Sequence, residues 1–184
     1  MLFRMKYIRR WGIMHSVVPE NLSTHSMEAA VVAHALCLIG NNYFGREYDC
    51  GRIAVKAVYH DLPEIFTGDI PTPVKYFSDD MRNAYNSVES AALKKFLGSL
   101  PEELKDDYRE LFKYSRDEKK IIKAADKMCA YLKCVEEERN GNKEFSVAKQ
   151  SLLETIRDSG CEEAVYFLDN FTASFDETID TLLN

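Results

Sequence analysis

His60 and Asp61 stand side by side in Ala54-Val55-Lys56-Ala57-Val58-Tyr59-His60-Asp61-Leu62-Pro63-Glu64. On a helix, adjacent side chains lie about 100° apart, so these two reach one point from two sides. Glu64, at i+4 from His60 and i+3 from Asp61, sets a third polar group above the same patch. The segment reads as the middle of a helix with apolar flanks. One imidazole and two carboxylates in such surroundings are the donors of a hydrolytic metal centre. The dipeptide alone is weak: a His-Asp pair arises by chance in roughly one chain in four of this size.

Other residues add to it. Asp126 lies in Ile121-Ile122-Lys123-Ala124-Ala125-Asp126-Lys127-Met128-Cys129-Ala130-Tyr131, and its i−4, i+3 and i+4 neighbours are Ile122, Cys129 and Ala130. It projects from an apolar face, where a carboxylate needs a cation or several donors. A salt bridge to a basic residue of another helix is the alternative to a metal. His25 begins a helix after capping residues, with Glu28 at i+3 as a candidate partner for its ring, and taken alone it reads as a helix-terminal surface residue sooner than a ligand. His34, nine residues on, faces the opposite side, and His15 lies in an irregular stretch. Two imidazoles and two aspartates make a sulfur-free site that suits Mn, Fe, Co, Ni or Zn. Glu64 is placed to handle a proton beside it. Arg9-Arg10-Trp11 offers guanidinium charge for a phosphate and an indole to pack on a sugar or base. The alternative there is a helix end with a buried Trp. Asp69 is either part of the site or a plain Gly-Asp turn residue.

The elements that must position these residues read as helices throughout. Helices are expected over Ser26 to Ile39, ending at Gly40-Asn41-Asn42, and over about Cys50 to Phe66. The stretch Thr67-Gly68-Asp69-Ile70-Pro71-Thr72-Pro73 is expected to be a non-helical loop. Further helices are expected over Asp79 to Leu97, Glu102 to Lys113, Asp117 to Arg139, Lys143 to Asp158 and Cys161 to Leu183. No run of period two is sustained, so the fold class is all-α. A chain of 184 residues suggests one domain over 1–184, with the motif-bearing core at about 8–150 and C-terminal helices over 143–184.

Composition narrows the partners. A net charge of −6 with no Lys/Arg run argues against a nucleic-acid polymer, while leaving room for one small anionic substrate. Five cysteines without a C-x-x-C pair read as reduced thiols of a cytoplasmic protein. No signal-peptide h-region is evident, and no apolar run approaches the length of a membrane span.

The pattern His25…His60-Asp61…Asp126 resembles the HD-domain superfamily of metal-dependent phosphohydrolases. The resemblance narrows through Ile8-Arg9-Arg10-Trp11, Glu20-Asn21-Leu22-Ser23-Thr24-His25-Ser26, the string from Tyr59 to Phe77 and the string from Ala125 to Cys134. These are similar to bacterial 5′-deoxynucleotidases of the YfbR type, and Thr67-Gly68-Asp69-Ile70-Pro71-Thr72-Pro73-Val74-Lys75 is the most specific part. The resemblance implies a compact HD-domain helical bundle, a homodimer and one divalent metal ion per subunit. It implies hydrolysis of deoxyribonucleoside 5′-monophosphates to deoxynucleoside and phosphate. By position, His25, His60, Asp61 and Asp126 are expected to hold the metal, and Glu64 is the expected catalytic carboxylate. Arg10 is expected to orient the phosphate. Trp11 and the loop Asp69, Ile70, Pro71, Thr72 are expected to line the substrate pocket, to which His25, Asp61 and Asp126 also contribute. Thr24 departs from the family's frequent Glu before the first His. The rivals are another HD phosphohydrolase, acting on a nucleoside triphosphate, a cyclic nucleotide or another small phosphomonoester, and a non-catalytic nucleotide-binding module.

Overall fold

Asn21 starts the first long helix. Its side-chain oxygen accepts the N–H groups of Ser23 and Thr24 at 2.9 and 3.1 Å, and α1 then runs over Leu22–Tyr43. The computed structural model describes residues 1–177 and 179–182. α1 continues through Gly40-Asn41-Asn42, where the sequence suggested a stop. Gly40 is buried, and a Cβ there would lie 2.5 Å from the Tyr48 ring. The glycine serves close packing, with Tyr48 fixed by its hydroxyl donating to Glu163 at 2.9 Å.

α2 spans Cys50–Tyr59, capped by Asp49, and ends seven residues before the expected Phe66. The break falls on the His-Asp pair. Pro63 has no N–H to continue the ladder, and the bonds beyond Ala57 become i→i−3. Leu62 N–H donates to Tyr59 O at 3.1 Å, Glu64 N–H to Asp61 O at 3.0 Å and Ile65 N–H to Leu62 O at 3.2 Å. His60 and Asp61 therefore sit on a tight turn, not mid-helix. A one-turn α3 (Glu64–Thr67) follows and stops at Gly68, whose φ of +73° suits glycine. The proline-rich stretch is not wholly irregular. α4 (Thr72–Lys75) is one helical turn with Pro73 inside its first turn, where a missing N–H does no harm.

The remaining helices are α5 (Asp79–Gly98), α6 (Glu102–Leu111), α7 (Arg116–Arg139), α8 (Ser146–Arg157), α9 (Glu162–Phe171) and α10 (Ile179–Leu182). A Ser115–Glu118 capping box starts α7. Lys143–Phe145 is a 3-10 turn instead of the start of α8. The expected final helix is also divided: Thr172–Asp176 is 3-10, and Leu183 lies outside the described residues. Thr172 and Ser174 hydroxyls donate to Leu168 O and Phe171 O at 2.6 Å each, the local bonding by which Ser and Thr compete with helix. Among the described residues there is no strand, only an isolated antiparallel bridge between Arg9 and Asn21.

α1 is the central element and packs against α2, α7 and α9. Ala29, Ala33, Leu36 and Cys37 of α1 meet Ile121, Ala125, Met128 and Cys129 of α7 in the main core. The small alanines let the two helices approach closely. Met5, Leu22, Leu62, Ile65 and Phe96 form a second cluster, which pins the His60–Glu64 turn from both sides. All five cysteines are free thiols, as expected. α1 does reach the length and hydropathy of a membrane span, contrary to the reading of the sequence. Over half of that stretch, 56%, is buried inside the protein, so its apolarity serves the core.

One buried carboxylate ties the N-terminal loop to α7. Glu137 accepts the N–H groups of Val17 and Val18 at 2.8 and 2.9 Å, Lys133 Nζ at 2.6 Å and Asn142 Nδ2 at 2.7 Å. Burial alone would raise its pKa. The donors from Lys133, Val17, Asn142 and Val18 override that and bring the carboxyl down to about 2. Because the folded-state pKa is depressed, this stabilisation is full above the ordinary value of 4.5 and is lost as pH falls towards 2. Glu137→Gln is expected to destabilise by about 2 kcal/mol, or about 4–8 °C in Tm. It should also flatten the acid limb of stability between those pH values. An unchanged acid limb in the variant would refute the role of this carboxylate.

Candidate metal centre

Four side chains from three places in the chain converge. His25 comes from the first turn of α1, His60 and Asp61 from the turn after α2, and Asp126 from the middle of α7. One donor atom from each lies within 4.8 Å of all the others. Among the described residues this is the one cluster of three or more His, Cys, Asp or Glu donors with that property. His25 Nε2 is 3.5 Å from Asp61 Oδ2 and 3.3 Å from Asp126 Oδ1. His60 Nε2 is 3.0 Å from Asp61 Oδ2 and 4.0 Å from Asp126 Oδ1.

Both Nε2 atoms are buried and make no hydrogen bond. Two buried imidazole nitrogens aimed at two carboxylates fit a divalent cation, whose ligands at about 2.0–2.2 Å from it stand 3–4 Å apart. The His60 ring is oriented from behind by its Nδ1, 2.7 Å from Ala57 O. That contact puts the proton on Nδ1 and the lone pair on Nε2. His25 Nδ1 faces Glu20 Oε1 at 3.4 Å. Glu28, suggested by helical spacing as the partner of His25, is exposed on α1, and Glu20 takes that place from the preceding loop.

The charges around the centre shift its titrations. Burial would lower the His25 pKa, but Asp126, Asp61 and Glu20 hold it well above the ordinary value. Burial would raise Asp126, but His25 and His60 bring it down to about 2. Glu64 behaves differently. Burial, then the charges of Asp61 and Asp69, lift its carboxyl to about 9. Its Oε2 is buried without a hydrogen-bond partner.

The other residues expected at the site are divided. Arg10 is present, with Nη1 3.6 Å from Asp61 Oδ2. Trp11 lies beside it at φ +60°, a left-handed conformation rare outside glycine, with its ring 5.2 Å from that of Phe145. Burial raises the Asp69 carboxyl, while the Arg10 charge and the Trp11 backbone N–H pull it down, so Asp69 sits against that pair. Ile70 and Pro71 continue the same loop half-buried, and Thr72 is exposed at the start of α4. His34 is exposed on the outer side of α1, and His15 lies near Asn142 and Glu144 instead of at the centre.

Sequence reasoning missed Glu20, Glu137 and Phe145. Glu20 and Phe145 share no helix with a ligand, whereas Glu137 lies on the Asp126 face of α7 and that spacing was readable, although its loop partners were not. It also missed the anchor of the substrate-side loop. Lys75 Nζ lies 4.1 Å over the Tyr85 ring and 3.3 Å from Glu89, which fastens α4 to α5.

An all-helical bundle with a His, His-Asp, Asp centre defines an HD-domain phosphohydrolase. An HD-domain phosphohydrolase from Listeria innocua superposes with a TM-score of 0.83 at 26% identity, covering 95% of this chain and 85% of that one. The cyanophage S-2L HD phosphohydrolase DatZ, bound to dA and one catalytic Zn2+ ion, shares the fold. Its TM-score is 0.69 at 18% identity, with 96% of this chain and 95% of that one covered. The family model of 5′-deoxynucleotidase YfbR-like proteins matches residues 1–175. A 5′-deoxynucleotidase of Vibrio cholerae is 47% identical over 98% of this chain and 95% of its own length. The 5′-deoxynucleotidase YfbR of Escherichia coli is 44% identical over 98% and 92%. The chain belongs to the YfbR-like 5′-deoxynucleotidase family.

A cation that binds the folded centre must raise stability. At a hundredfold excess over Kd the gain is about 2.7 kcal/mol, or roughly 5–10 °C in Tm for a chain of this size. Mn2+ or Zn2+ added after chelation should produce that shift in the wild type, and Asp126→Ala should abolish it. An equal shift in the variant would remove Asp126 from the ligand set.

Proposed function

We propose that this chain is a metal-dependent 5′-deoxynucleotidase, converting a deoxyribonucleoside 5′-monophosphate and water to a deoxynucleoside and phosphate. The observation that carries this reading is the Arg10 guanidinium, 3.6 Å from one donor of a four-residue metal centre, in a chain 47% identical to a 5′-deoxynucleotidase. A phosphate clamp and a cation site on one wall suit a phosphomonoester.

His25, His60, Asp61 and Asp126 would hold one divalent ion per subunit. Mn, Fe, Co, Ni and Zn all accept two nitrogens and two oxygens, and the same fold accommodates Zn2+ and dA in DatZ. Such an ion, when bound, acidifies water and offsets phosphate charge. Arg10 grips the phosphate oxygens with paired N–H donors. His25, Asp61 and Asp126 border the phosphate from the opposite side. Water oxygen bonds to phosphorus as the bond from phosphorus to the 5′-oxygen breaks. Glu64 delivers a proton to the departing 5′-oxygen and regains one from the water oxygen that has joined phosphorus. Burial, then the charges of Asp61 and Asp69, favour the protonated form of its carboxyl. Trp11 and the loop Asp69, Ile70, Pro71, Thr72 enclose the sugar. A 2′-hydroxyl left unpaired there costs about 1–3 kcal/mol, which is roughly tenfold to a hundredfold in selectivity.

Phosphate release from matched deoxy- and ribonucleoside 5′-monophosphates, after chelation and add-back of Mn, Co, Zn and Mg, tests this directly. Release should require metal and favour the deoxynucleotides. Glu64→Gln should lower kcat by about 10²–10⁴ while retaining metal. No release with any metal would refute the activity, and undiminished turnover in Glu64→Gln would refute the proton role.

The working form is a homodimer in the cytoplasm. Its five free thiols suit a reducing compartment. On α1, Met27 is 63% exposed, Val31 61% and Leu38 45%, an apolar stripe with Glu28 as the helix's only formal charge. A nearly uncharged stripe matches a second copy of itself in an antiparallel, two-fold pairing. Sedimentation should give a dimer for the wild type and a monomer for Val31→Glu. A dimeric variant would move the interface elsewhere, and a monomeric wild type would end the proposal.

A further inference from the structure

We propose that Glu20 is a positioning residue that joins the metal ligand His25 to the Arg10–Trp11 wall of the substrate pocket. The inference rests on the metal and substrate assignments above and adds a residue to which they give no role. The Glu20 side chain is only 7% exposed, and a carboxylate so buried requires partners. All three partners belong to the site. Trp11 Nε1 donates to Oε2 at 2.5 Å, while Oε1 stands in ion-pair range of Arg10 Nε at 3.3 Å and His25 Nδ1 at 3.4 Å, neither of which makes a hydrogen bond.

Backbone pairing sets this meeting. Arg10 N–H donates to Glu20 O at 3.1 Å and Leu22 N–H to Ile8 O at 2.9 Å, with Arg9 bridged to Asn21 between them. Residues 8–10 therefore lie antiparallel to 20–22, and Glu20 is held abreast of Arg10 and Trp11. The next step along the chain, Trp11, turns sharply at φ +60°, and Met14 N–H closes the turn on Trp11 O at 2.9 Å. An indole on a strained turn gains its orientation from the bond it makes to Glu20.

The two metal-side imidazoles are thus held by different means. His60 leans on a backbone carbonyl, that of Ala57, which has no link to the substrate wall. His25 leans on a carboxylate shared with Arg10 and Trp11. Holding the His25 proton at Nδ1 leaves Nε2 free for the cation. A cation at Nε2 strengthens the Nδ1–H contact to Oε1, and the same carboxylate orders Arg10 and Trp11. Metal and nucleotide then favour each other's binding, and the coupling is reciprocal.

Trp11 is the only tryptophan in the chain, so its fluorescence reports this link without any turnover. Zn2+, which lacks unpaired electrons, is the probe. In the wild type, Zn2+ titration should change Trp11 emission at saturation, and deoxynucleoside should bind more tightly with Zn2+ than without. Glu20→Gln keeps the size of the side chain but loses its charge. It should weaken Zn2+ binding about tenfold to a hundredfold in a chelator competition and leave emission unchanged at saturation. It should also raise KM and reduce the preference for deoxyribose. Glu20→Asp should recover part of the Zn2+ affinity, since the charge remains and only reach is lost. Glu103→Gln, exposed on α6 away from the centre, should match the wild type throughout. Wild-type Zn2+ affinity together with wild-type emission change in Glu20→Gln would overturn the assignment. A wild type that binds no Zn2+ would instead overturn the metal reading beneath it.

Discussion

Close packing of α1 against α7 carries His25 and Asp126 to within 3.3 Å of each other at the wall of an apolar core. That approach depends on small residues at the seam, among them Ala29, Ala33 and Ala125. It also creates an electrostatic problem. Two aspartates meet two buried imidazoles there, and hydrogen bonds do not claim the two Nε2 atoms. A divalent cation solves this with the fewest groups, and the rest of the site follows from its placement. The His60–Pro63 turn must break α2 so that both members of the dyad face the seam.

The substrate side is built on the same economy. Arg10, Trp11 and Glu20 come from a loop that has neither helix nor sheet to hold it. It is fastened instead by short backbone pairings and by buried carboxylates, Glu20 at one end and Glu137 at the other. Opposite it, Lys75 ties α4 to α5 through Tyr85 and Glu89. Both segments are thus anchored to the bundle by side-chain contacts.

Glu64 illustrates how environment assigns roles to like groups. Asp61 and Asp126 face imidazoles and are held ionised. Glu64, one turn away, faces burial and other carboxylates and is pushed to about 9. Burial and charge thus drive like carboxyls apart within one cluster.

Much of this was legible in the chain. Helical periodicity and turn residues establish the all-α class, and Asp126 stands out as a carboxylate on an apolar stripe, whereas His25 joins the expected ligand set through the family resemblance. Local rules misjudged places where a neighbour decides the outcome. Gly40 reads as a helix stop, but it stays helical because the Tyr48 ring occupies the space of a side chain. Pro63 can be read as compatible with one long helix, yet the packing of Leu62 and Ile65 stabilises a tight turn instead. Helical spacing nominated Glu28 for His25, whereas the pairing of residues 8–10 with 20–22 brings Glu20. Glu137 meets a loop 120 residues away. Sequence spacing determines which side chains share a face of one helix. Which carboxylate from another segment completes a buried site depends on the approach of distant backbone, and that only the folded chain decides.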